Sequence, residues 1–183
     1  MRGRAKASRE GPSRGQGAFL APVLALTLLT SCDEARQPPA AFSFEGLPVA
    51  GSIADAQRAG FTNCVSHNID MRCRKEGVSL KRHGPFSAAV DLQGGGGEGG
   101  FDHLILWNPS DQSALVAITT QLRGEGWSEC LTPVGDAWKG QAIYQRKGAP
   151  IFYSLDLTYW DRRTLKLYPA APAKIPACQA APR

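Results

Sequence analysis

The run IFYSLDLTY, residues 151–159, alternates apolar and polar side chains, and no other feature restricts the fold of this chain more. Ile151, Tyr153, Leu155, Leu157 and Tyr159 fall on one side of an extended segment, and Ser154, Asp156 and Thr158 on the other. Side chains of a strand alternate between the two faces of a sheet, so this period predicts a strand with one buried face. FSAAVDL (86–92), FDHLILW (101–107), AIYQR (142–146) and TLKLY (164–168) have the same character. QGGGGEGG (93–100) lies between the first two of these and reads as a flexible hairpin connection. It is no phosphate loop, because no Lys-Ser/Thr pair follows it and the next element is a strand.

Two helices are signalled by their ends. Ser52 followed three residues later by Asp55 has the pattern of a capping box, and Gly60 is a natural stop. A second helix is expected from about Asp111 to Arg123, with Ser110 as its cap, Leu115, Ile118 and Leu122 on one face and Gly124 as terminator. Gln57-Arg-Ala-Gly-Phe-Thr-Asn-Cys64 also echoes Leu122-Arg-Gly-Glu-Gly-Trp-Ser-Glu-Cys130, each a helix end, a glycine, an aromatic and then a cysteine. The expected fold is therefore α+β, an antiparallel sheet with two helices on one face, arranged as a possible tandem repeat of one helix and about three strands. This order resembles the small helix-plus-three-strand domains of the outer-membrane β-barrel assembly lipoprotein and of the tandem-repeat β-lactamase inhibitor proteins. The likeness is of element order alone and transfers no functional residue.

The longest apolar stretch, Ala18–Thr30, has 13 residues and contains Pro22, whereas a membrane-spanning helix needs about 20. A basic segment precedes it and small residues end it, which are the marks of a secretory signal peptide. Leu29-Thr30-Ser31-Cys32 resembles the lipobox of bacterial lipoproteins. That resemblance implies cleavage after Ser31 and lipidation of Cys32, with several acyl chains (palmitate among them) giving durable anchoring. It places the protein in the bacterial cell envelope, with the domain in the periplasm and either membrane possible. The expected organisation is a signal peptide (1–31), a lipidated, Pro-containing tether (32–41), a globular domain (42–168) and a Pro/Ala-rich irregular tail (169–183).

The leader also accounts for the charge. Of the net +5, a local +4 comes from Arg2, Arg4, Lys6, Arg9 and Arg14 against Glu10, leaving a nearly neutral mature chain. Net charge therefore offers no case for nucleic acid as a partner.

Once Cys32 is lipidated, Cys64, Cys73, Cys130 and Cys178 remain, an even number with three possible connectivities. An oxidising compartment favours disulfides, and the favoured pairing joins Cys64 to Cys73 and Cys130 to Cys178. The competing reading is a zinc site built from Cys64, His67, Cys73 and His83. No catalytic motif of the G-x-S-x-G, H-E-x-x-H or S-x-x-K type occurs, and His67, His83 and His103 are scattered, so no catalytic residue and no cofactor are assigned. Basic clusters stand at Arg72, Arg74 and Lys75, at Lys81-Arg82 and at Arg162-Arg163. Trp160 with Arg162 and Arg163 is the expected partner surface. The expected function is that of a non-catalytic binding, inhibitory or scaffold module acting on an envelope protein. Metal binding through the Cys/His cluster and an envelope enzyme are the alternatives.

Overall fold

The computed structural model describes residues 40–133, 140–158, 162–171 and 175–180; the leader, Cys32 and Trp160 lie outside them. A small hairpin, β1 (Phe42–Phe44) and β2 (Leu47–Ala50), leads into helix α1 (Ile53–Arg58). Ser52 caps this helix reciprocally with Asp55, as the sequence pattern predicts, and the chain leaves it through Gly60 at φ +90°. Four strands follow in a meander: β3 (Asn63–His67), β4 (Asp70–Leu80), β5 (His83–Gln93) and β6 (Phe101–Trp107). Helix α2 (Ser113–Gly124) precedes a second meander, β7 (Ser128–Leu131), β8 (Gln141–Gln145), β9 (Ile151–Asp156) and β10 (Leu165–Pro169). The tail contributes β11 (Gln179–Ala180), so it is not wholly irregular.

Among the described residues each helix is thus followed by a four-stranded meander, one strand more than the expected three, because β4 is heavily charged and β3 and β7 are short. Helix α2 also starts later than Ser110. The Asn108 side chain accepts from the backbone N–H of Ser110 and Asp111, holding those residues in a turn, and Asp111 in turn accepts from Ser113 N–H. Both helix ends carrying the sequence echo close the same way. Phe61 N–H donates to Ala56 C=O and Trp127 N–H to Leu122 C=O, and both aromatic rings are buried. The echo then breaks, since Cys64 pairs with Cys73 toward the main core whereas Cys130 belongs to a separate cluster on the other face.

The meanders join through β6 and β10 into one antiparallel sheet of nine strands, ordered β11-β7-β8-β9-β10-β6-β5-β4-β3. Its inner face carries Ala88, Val90, Leu92, Leu104, Leu106, Tyr153, Leu165 and Leu167 into one core with both helices and with Leu47 and Val49 of the hairpin. The outer face is covered over the second meander, where Ile175 and Cys178 of the tail pack on Cys130, Ile143, Phe152 and Tyr168. Residues 152 and 154 are therefore as buried as 151, 153 and 155, which corrects the expectation of a single buried face for this strand. Cys64 and Cys73 face each other across β3 and β4 with Cα atoms 3.9 Å apart, and Cys130 and Cys178 stand 5.6 Å apart; both pairs are disulfide-bonded.

The glycine-rich connection is packed rather than loose. Gly97 is buried at φ +76°, Gly94 N–H donates to Ile69 C=O, and Ser66 Oγ donates to Gly95 C=O at 2.6 Å. A side chain at position 97 would have to adopt a left-handed backbone, so Gly97→Ala is expected to lower stability by about 1–2 kcal/mol in urea unfolding. A change within error would show that the connection relaxes freely.

Candidate functional site

Register carries one row of residues across the outer face. Lys166 of β10 faces Ile105 of β6, Ile105 faces Ala89 of β5, and Ala89 faces Arg74 of β4. Alanine and isoleucine keep the middle of the row low. Arg74 and Lys166 stand at its two sides, three strand spacings or about 14 Å apart. The result is a groove of about 790 Å³ into which Arg72, Arg74, Arg162, Arg163 and Lys166 all project. Ile105, Trp107 and Pro109 supply its apolar lining, and none of its described lining residues is acidic.

Arg72 is held in place from behind. Its Nε and Nη2 donate to the two carboxylate oxygens of Asp91 at 2.6 and 2.7 Å, a bidentate pair. Hydrogen bonding by Asp91 raises the Arg72 pKa above its ordinary value, so the guanidinium stays charged. Behind Asp91, the buried His103 places Nε2 3.5 Å from its carboxylate and Nδ1 2.7 Å from Asp102, with the ring stacked 4.8 Å from Tyr168. His103 does not line the groove, and no hydroxyl or thiol among the described residues is bonded to it. Its ring fills the space behind Asp91, and the hydrogen bond it makes is to Asp102 rather than to Asp91. Among the described residues, Arg74 and Lys166 make no ion pair.

The far rim is braced by side-chain amides. Gln112 accepts from Arg163 N–H at 2.9 Å and donates to Asn108 C=O, while Asn108 donates to Pro85 C=O at 3.1 Å. These bonds fix the start of α2 to the segment entering β10. Both amides are occupied by the protein itself.

No family model, no curated protein and no solved structure matches the chain. The site therefore rests on its own residues. Arg162 and Arg163 of the expected partner surface do line the groove, while Trp160 lies outside the described residues. Arg72 and Arg74 join them from the other meander, but Lys75 points to the inner side, donating to Ala59 C=O with its ammonium 5.8 Å from the Phe61 ring centre. Lys81 is also diverted. Its side chain is only 6% exposed and its ammonium sits between Glu125 and Glu45 at 2.7 and 3.2 Å.

The Cys/His pattern does not converge. Cys64 and Cys73 are bonded to each other, and His67 and His83 flank opposite ends of β4, His67 opposite Asp70 and His83 opposite Leu80. No group of three or more metal-ligating side chains is found among the described residues. Nor is any helix among the described residues long and apolar enough to cross a membrane. Sequence reading missed Trp107, Ile105 and Lys166 as site residues. The one available signal was Arg72 and Arg74 two apart, a spacing that puts both on the same face of a strand.

Proposed function

We propose that this chain is a bacterial lipoprotein, anchored through Cys32 and facing the periplasm, whose domain binds an envelope partner through the outer-face groove and catalyses no reaction. The groove carries the binding reading: five cationic side chains from two separate meanders surround an apolar strip, with no acid–base pair among the described lining residues. The address rests on the leader and on Leu29-Thr30-Ser31-Cys32. Disulfide bonding of the four remaining cysteines supports an oxidising compartment. The tandem reading of the domain is supported by the two helix-then-meander halves and their matching helix ends; the opposite faces taken by Cys64 and Cys130 count against a close copy.

Photo-crosslinking in native membranes tests the binding reading. A photoreactive residue at position 74 is expected to give a discrete adduct that is missing when the residue is placed at exposed Lys147. Absence of an adduct from position 74 would overturn it. The anchor has its own measurement: Cys32→Ala is expected to leave the membrane fraction, and a Cys32→Ala chain that stays membrane-bound and is cut at the same position would refute lipidation.

A further inference from the structure

Resting on that binding reading, we infer that the groove takes an extended acidic polypeptide segment whose groove-facing side chains, every second residue, run carboxylate, apolar, carboxylate. Charge complementarity is the first reason. The Arg72 fork is spent on Asp91, and three of the four other cations are arginines, whose planar forks match carboxylates in a bidentate manner. Arg72 already shows this chemistry on Asp91. The apolar strip is the second reason. Ile105 lies in the row between Lys166 and Arg74, with Trp107 beside it on the same strand, so the matching ligand sets an apolar group between two acids about 14 Å apart, the span from residue i to i+4 of an extended chain. An inorganic anion would use the charges and leave the strip bare.

The braced rim argues against a hydroxyl-rich ligand. Asn108 and Gln112 are the amides lining the groove, and both are spent on internal hydrogen bonds. The molecule also shows what kind of occupant this face accepts. Over the second meander its own tail lies on the outer face and adds β11 to the edge of β7. An extended polypeptide across the seam of the two meanders would make the same face-on contact as Ile175 and Cys178, without the edge pairing of β11 and with arginines in place of the apolar residues that meet the tail.

Full-length protein extracted from membranes in detergent is titrated with a fluorescent peptide of about ten residues, long enough to span the groove, with glutamate at positions i and i+4, leucine or phenylalanine at i+2 and serine at the intervening positions. Saturable binding is expected, weakening as salt rises. A peptide with lysine replacing glutamate is expected not to bind. Arg74→Glu combined with Lys166→Glu should weaken binding roughly tenfold or more, while Arg74→Lys with Lys166→Arg retains it. Trp107→Ala should weaken it roughly tenfold without changing the salt dependence. Both sets are compared at unchanged thermal midpoint, and the single variant Arg74→Gln serves if the double variant is unstable.

No saturable binding of the acidic peptide, or binding indifferent to Arg74 and Lys166, overturns the inference. Displacement of the peptide by an acidic polysaccharide or by anionic phospholipid vesicles at lower concentration than by unlabelled peptide overturns it in favour of those ligands. A position-74 adduct from native membranes together with any of these failures leaves the binding reading standing and removes only the ligand class. Loss of that adduct removes the binding reading itself.

Discussion

Replacing Cys130 and Cys178 together by serine is expected to lower stability by at least about 4 kcal/mol. The bond closes a loop with a sequence separation of 48 residues, and releasing it gives that entropy back to the unfolded chain. There is a native-state term as well. The bond holds the tail on Ile143, Phe152 and Tyr168, and it keeps β11 on the edge of β7. A fall in thermal midpoint of roughly 10 °C is expected for a domain of this size. Hydrogen exchange should show β7 and the 175–180 segment losing protection before the rest of the sheet. The corresponding Cys64/Cys73 double variant closes a separation of only 9 residues and should cost about 2.5 kcal/mol. A loss for Cys130/Cys178 no greater than about 4 kcal/mol would show that the tail contributes nothing beyond its covalent tie, and equal losses for the two pairs would show that loop length does not govern them.

Trp127→Ala is expected to cost about 3–5 kcal/mol in denaturant unfolding. Trp127 is 4% exposed, meets Tyr153 edge-on with ring centres 4.9 Å apart, and is covered by the Arg146 guanidinium at 4.8 Å. Its backbone N–H closes α2 on Leu122 C=O, a bond that alanine would keep. The loss therefore reports the side chain alone: buried aromatic area, the edge-on contact and the cavity left beneath α2. Trp127→Phe, which retains most of that area, should cost no more than about 1.5 kcal/mol. A similar cost for alanine and phenylalanine would place the effect in the indole N–H rather than in packing.

These two positions were legible in the sequence, one as a cysteine needing a partner and the other as the aromatic after a helix-ending glycine. The strands β5, β6, β8, β9 and β10 were legible for the same kind of reason, since their inner faces are apolar at a period of two. Strand β4 was hidden because Arg72 and Arg74 alternate with Met71, Cys73 and Lys75, and register shifts after Lys75 break the period. The groove was hidden for a related reason. Arg74 and Lys166 belong to different meanders, and only the pairing of β6 with β10 brings them to one row. Trp107 ends a strand that reads as core throughout, so its outward position follows from register and not from its type. The glycine run reads as slack because its contacts come from residues distant in sequence, Ser66 of β3 and Ile69 of the turn after it.

The pairing of Cys64 with Cys73 has a consequence beyond its contribution to stability. Strand β3 is a five-residue border of the sheet, with Val65 49% exposed and Ile69 in the adjoining turn 83% exposed, so its outer side is open to whatever extended chain drifts past. A border like this can slide along its neighbour by two residues and still present the same face, or peel away and dock on another molecule. Because the covalent tie joins residues that stand directly opposite each other, every shifted alignment of β3 on β4 is closed off once the bond has formed. The bond acts as a pin through a zip: the chain commits to one alignment at its most vulnerable margin, and that margin cannot be traded with a neighbouring molecule.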